Sequence, residues 1–172
     1  MKTTNFCSPE RANNNSNALV VDTVFFDFEE DFAEDNVRCI PMIVRFKLDA
    51  CGIKLKLGEW SKFTVPERTM LSVMKCAEKK EIVQYANCLR QLIMHRTGSA
   101  ATDLPIEQRP AWANTSELPM MLLEKLQEFN WQLSLLQWNC LSNLQRFVLL
   151  KLCRPGHENK NFPKAMKEFG LV

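Results

Sequence analysis

The sequence predicts an all-α protein: a single helical domain built from two pseudo-repeated helix–turn–short helix–helix units, with an extended acidic N-terminal arm. Three observations predict it. Sliding the chain by 78 positions without a gap lays Pro41-Met42 on Pro119-Met120, Lys47-Leu48 on Lys125-Leu126 and Trp60 on Trp138. Leu55, Leu57, Arg68 and Leu71 then fall on Leu133, Leu135, Arg146 and Leu149, and a self-match of this kind is read before any local pattern. Second, Thr64 to Glu67 and Ser142 to Gln145 are both capping boxes, with a hydroxyl at the cap and Glu or Gln three residues on. Third, helical periodicity dominates a chain of 172 residues with only 5 glycines, which weighs against an all-β fold.

In chain order, residues 1–18 are Asn- and Ser-rich, bury little and are expected to form a disordered tail outside the domain of residues 19–172. Residues 19–32 are β-branched and aromatic, and Phe26, Phe28 and Phe32 alternate with acids. We read them as an extended arm that anchors its aromatics in a groove, with a short strand as second choice. The first unit covers about 41–76. Its helix opens at Pro41, which suits a first turn, and shows Ile43, Phe46 and Ala50 as its apolar stripe. Gly52 stands where a left-handed C-terminal cap is wanted. A short amphipathic helix ending at Trp60 follows, then a capped helix with Met70, Leu71 and Met74 on one face.

A long helix is predicted over 78–96, with the stripe Ile82, Tyr85, Ala86, Leu89, Leu92 and Ile93, and Gly98 ends it. His95 in its last turn reads as a cation near the helix C-terminus rather than as a ligand. Residues 98–118 form a connector of a length that tends to be functional or surface-wrapped, pinned by Trp112. The second unit, about 119–154, repeats the scheme with Leu122, Leu126 and Phe129, the cap Asn130, a short helix to Trp138, and Phe147, Leu149, Leu150 and Leu152. Arg154 to Phe162 is the densest polar stretch, and Asn161 is expected to cap a last helix over 163–169. Trp60, Arg68, Trp138 and Arg146 are assigned structural roles. The two arginines are expected to bind carboxylates or carbonyls across the contact between units.

Composition narrows the function classes. With 46% hydrophobic residues the chain can bury a sizeable core. No apolar run is long enough for a bilayer, and residues 1–17 lack the apolar segment of a secretory signal, so a soluble, cytoplasmic protein is expected. Seven cysteines, an odd number without a Cys-x-x-Cys, predict reduced thiols buried as small hydrophobes rather than disulfides or a zinc site. Net charge is +2, but residues 1–36 hold two basic and eight acidic side chains, leaving +8 on the remainder. That asymmetry predicts an acidic arm docked on a basic body, or an acidic tag for a partner. There is no Gly-rich phosphate loop, nucleophile elbow or His-Glu-x-x-His, so neither an enzyme nor a metal or cofactor site is expected. A DNA-reading helix is disfavoured because the capped helices offer few bidentate base readers. The exposed candidates that remain are the loop residues Arg154, His157, Glu158, Asn159 and Lys160.

Phe26-Asp27-Phe28-Glu29-Glu30-Asp31-Phe32, the run Arg38 to Asp49, Gln145-Arg146-Phe147, Arg154 to Phe162 and the ending Lys167 to Val172 together carry a resemblance. Over about residues 24–172 the chain resembles the conserved nitrate reductase-associated protein family of cyanobacteria and some other bacteria and algae. The resemblance departs at Gly156, where Ser is expected, and at the Asn-rich tail. It implies a small, non-catalytic accessory or chaperone-like factor for the molybdenum-containing assimilatory nitrate reductase, acting on that enzyme or its maturation machinery. A small-ligand or molybdenum-cofactor carrier and a nitrate-responsive transcriptional regulator are the alternatives. The family supplies no active site. A partner face is therefore expected at the loop residues together with Phe28, Glu29 and Asp31 of the arm.

Overall fold

The structure, a computed structural model, describes residues 25–29 and 39–172, the side chains of His157 and Glu158 excepted. It is mainly helical, as expected. Phe25 and Phe26 lead into a single 3-10 turn, Asp27–Glu29. Helix α1 (Met42–Cys51) follows Pro41 and ends at Gly52 in the left-handed conformation, φ 63°. A Cβ there would stand 2.7 Å from the Leu104 carbonyl oxygen and from an Ile106 side-chain carbon. Glycine is thus required both by the backbone and by the close approach of the connector.

Strand β1 (Ile53–Lys54) pairs antiparallel with β2 (Thr102–Asp103), Ile53 opposite Asp103 and Lys54 opposite Thr102. This small ladder is absent from the all-α expectation; two residues per strand are too few to show an alternating pattern. It ties the connector to the end of α1. Helix α2 (Leu57–Trp60) is a single turn, and α3 (Val65–Val73) starts on the Thr64–Glu67 capping box. The long helix is α4 (Lys79–Thr97), closed by Gly98 at φ 72°. The connector takes a 3-10 turn at Ala111–Ala113, where Trp112 meets the Phe46 ring edge-on at 5.1 Å between centroids. Then come α5 (Met120–Glu128), α6 (Leu135–Cys140), α7 (Asn143–Cys153) and, after a 3-10 turn at His157–Asn161, α8 (Phe162–Glu168).

Two hydrophobic clusters form the core. One gathers α5, α6, α7 and α8 around Trp138, Phe147 and Phe162; the other gathers α2, α3 and α4 around Trp60, Leu71, Tyr85 and Leu89. Helix α1 lies between them: Met42 belongs to the first, Val44, Leu48 and Cys51 to the second. This corrects the expected stripe. Ile43, Phe46 and Ala50 are only half-buried, because a helix packed on two sides buries residues all round and not along one face. On α3, Met70 is exposed and Leu71 alone of the expected trio is buried; the rest of the buried face is Arg68 and Ser72. Phe26 and Phe28 anchor as expected, through stacking on each other and edge contacts with Phe169. They do so from a turn rather than an extended segment. The expectations for residues 1–18, Asp31 and Phe32 lie outside the described residues.

Candidate functional site

Four residues, Trp60, Arg68, Trp138 and Arg146, are assigned structural roles from the sequence. Trp60 and Trp138 are fully buried, and Arg68 and Arg146 nearly so. Each short helix ends on carbonyls with no partner further along the helix, and an arginine reaches back to them. Arg68 donates from Nε to the Trp60 carbonyl at 3.2 Å and from an Nη to that of Ser61 at 2.8 Å. Arg146 donates to the Trp138 carbonyl at 3.5 Å and to the Asn143 side-chain oxygen at 2.5 Å. Both guanidiniums also lie over the indole of the same tryptophan, 5.7 and 5.8 Å from the ring centroid. In both cases the carbonyls reached lie at the end of the short helix just before the arginine's own helix.

Two buried lysines escaped the sequence reading. Lys47 donates to the carbonyls of Leu71 and Ser72 at 3.3 and 2.7 Å, in the last turn of α3. Burial lowers its pKa to about 8, opposed by the neighbouring Cys76. Lys125 pairs with Glu128 at 2.5 Å and lies over the Phe129 ring. Their signal was in the chain: both occupy a core-facing position of an amphipathic helix and coincide under the 78-residue shift. Glu67 was read only as part of a capping box, yet it also receives a bidentate pair from Arg96 at the end of α4, with distances from 2.8 to 3.1 Å. Arg96 first, and Thr64 after it, hold the Glu67 carboxyl down to about 2.

Of the arm residues proposed for a partner face, Phe28 is buried in the core and Glu29 is turned inward. The Glu29 carboxylate accepts from the Met42 N–H at 2.8 Å, capping α1, and from the Phe26 N–H at 3.3 Å. The N–H groups of Asp27 and Phe28 go to the Glu168 carboxylate at 3.0 and 3.1 Å. The described arm docks through these helix-end and aromatic contacts. The loop is different. Arg154 and Lys160 are exposed and Asn159 is half-buried, on a turn that packs against α7 and α8. Asn161 is buried, and its side chain caps nothing: its Oδ1 has no hydrogen-bond partner. The loop and the arm turn meet the same helix, α8; the arm turn leaves Phe25 and Asp27 exposed while Phe28 and Glu29 face inward.

Beside Lys160 lies an open groove of about 610 Å³. Ile40, Leu48, Ile53 and Leu55 make its buried floor, and the exposed side chains of Leu57 and Leu104 flank it. Among the described residues, its lining carries Arg45, Lys54, Lys151 and Lys160 and one carboxylate, Asp49, which pairs with Lys151 at 3.0 Å. No sequence signal pointed to it, because its residues come from α1, β1, the connector, α7 and the loop.

The thiols are less buried than expected. Among the described residues, Cys51 is the one cysteine in the core, Cys39, Cys76, Cys88 and Cys153 are half-buried, and Cys140 is exposed; Cys7 lies outside the described residues. Burial pushes Cys51 and Cys76 up to about 11 and Cys153 to about 12, so these three are protonated at neutral pH. Among the described residues, no group of three or more His, Cys, Asp or Glu is placed to hold a metal ion. No helix among them is long and apolar enough to cross a membrane.

A search of curated proteins and a search of solved structures each found no match. A family model does match, over residues 25–169, which takes in the docked arm turn, the groove and the polar loop. By that match the chain belongs to the conserved nitrate reductase-associated protein family.

Proposed function

We propose that the protein is a non-catalytic accessory or chaperone-like factor of the cytoplasm. It serves the biogenesis or activity of the molybdenum-containing assimilatory nitrate reductase by binding the enzyme or its maturation machinery. The observation that carries this reading is the family match across nearly all of the chain, since that family is described by its association with nitrate reductase. The loop supports it: Arg154 and Lys160 project from a turn whose buried anchors, Asn161 and Phe162, hold it against the body. His157, Glu158 and Asn159 belong to the same turn and complete the proposed contact.

The test is affinity capture of the tagged protein from nitrate-grown cells, with the eluate analysed for protein and for molybdenum. Recovery of nitrate reductase is the expected result, and it is lost when Arg154, His157, Glu158, Asn159 and Lys160 are all alanine while the melting temperature holds. Undiminished capture by that variant removes the loop from the contact. Molybdenum or a pterin recovered without the enzyme favours the cofactor-carrier reading, for which the basic groove rim is the supporting feature.

The body that presents this loop we read as two copies of one helical unit. Supporting it are the left-handed caps at Gly52 and Asn130, φ 63° and 54°, and the pairs Trp60/Trp138, Arg68/Arg146 and Lys47/Lys125, alike in burial. The copies diverge at their first helical residue, where Met42 is buried and Met120 exposed.

A further inference from the structure

The groove beside Lys160 is built for a ligand of particular chemistry. Its floor is aliphatic and closed to water from beneath, so it favours side chains such as leucine or phenylalanine. Among the described residues its lining carries Arg45, Lys54, Lys151 and Lys160 and one carboxylate, Asp49, which is paired with Lys151. Lys54 and Lys160 are exposed with no carboxylate partner among the described residues. Leu57 and Leu104 stand 56% and 45% exposed, a larger apolar display than isolated surface leucines need. A small, fully enclosed ligand would call for a closed cavity with convergent polar groups; this groove is open to solvent and its lining is mostly apolar. Apolar floor with a cationic rim is the complement of a chain that alternates apolar and acidic side chains.

We propose that the groove binds an acidic, leucine- or phenylalanine-bearing peptide segment of the nitrate reductase partner. The inference rests on the accessory reading for the partner's identity, but the groove chemistry stands independently of it.

The probe is a fluorescein-labelled synthetic peptide in which acidic pairs alternate with single leucine or phenylalanine residues, titrated with the full chain by anisotropy. A second peptide carries lysine at every acidic position. The acidic peptide is expected to bind and to weaken with added salt, and the lysine peptide to fail. Lys54→Glu combined with Leu57→Ser, both exposed and outside the polar loop, should weaken binding roughly tenfold or more with the melting temperature unchanged. Equal binding of the two peptides, or an unaffected double variant, overturns the proposal. Tighter binding after Glu30, Asp31, Glu34 and Asp35 are replaced by alanine overturns it too, because the chain's own acidic segment would then be the occupant. Binding that vanishes with a concentration-dependent dimer would do the same in favour of a second copy.

The two readings fail separately. Capture of nitrate reductase by the wild type and the double variant alike ends the groove proposal and leaves the accessory function standing. Peptide binding that depends on Lys54 and Leu57, in a protein that captures no nitrate reductase, does the reverse.

Discussion

At the scale of single residues, the body is held by charged side chains that end helices. Arg68, Arg146, Lys47 and Glu29 each bond backbone groups at a helix terminus. Glu67 does so at the start of α3 and adds a fork from Arg96, joining α3 to the end of α4. Its carboxyl titrates near 2 when folded, against 4.5 ordinarily. With the folded pKa depressed, the unfolded chain binds more protons between these values. The stabilisation is therefore fully present above the ordinary carboxylate range and drains away as pH falls toward 2. Glu67→Gln should cost about 1–2 kcal/mol at pH 7, a value discounted because the pair is partly open to solvent. In urea unfolding at pH 7 and pH 3, the gap between wild type and variant should narrow at the lower pH. A gap of the same size at both would show that the ion pair contributes nothing.

At the scale of elements, the long connector is fastened at three points: the β1–β2 ladder, Trp112 on Phe46, and the Trp138 indole N–H, which donates to the Asn114 carbonyl at 2.8 Å. Trp138→Phe keeps most of the buried ring but deletes that bond and leaves the carbonyl unmatched. It should cost about 1–3 kcal/mol and speed cleavage after Glu107 by a glutamate-specific protease. An unchanged cleavage rate would mean that the other two fastenings suffice. The connector also shows what the sequence could reveal and what it could not. Helices α1, α3, α4 and α7 were legible because caps and apolar spacing are local, and Gly52, Asn130 and Gly98 marked their ends. Trp112 was legible as an anchor because an indole in a polar stretch has to be buried somewhere. The ladder, the Glu67–Arg96 fork across 29 residues and the groove were not, because each joins segments whose proximity only tertiary packing decides. Of the proposed partner face, the loop was visible as a break in helical pattern. Phe28 and Glu29 looked free only because nothing local says that α8 and the start of α1 receive them.

At the scale of the whole molecule, α1 decides how the two clusters relate. It gives Met42 and Phe46 to one and Val44, Leu48 and Cys51 to the other, and the Lys151–Asp49 pair bridges α7 to the same helix. Neither cluster can lose its packing without stripping one side of α1, and a helix of ten residues does not persist in water unaided. The body should therefore unfold as one cooperative unit, although we read it as two copies of one helical unit. Leu89→Ala in one cluster and Leu152→Ala in the other remove fully buried side chains and should each cost about 2–5 kcal/mol. Both should lower the same single calorimetric transition, with calorimetric and van't Hoff enthalpies in agreement. Two resolved transitions, each moved by only one of the substitutions, would mean that the units fold independently and α1 belongs to one of them. That outcome would bear on function as well. The groove floor is drawn from α1 and β1 while Lys151 and Lys160 on its rim come from α7 and the loop, so a rigid groove requires the two clusters to move as one.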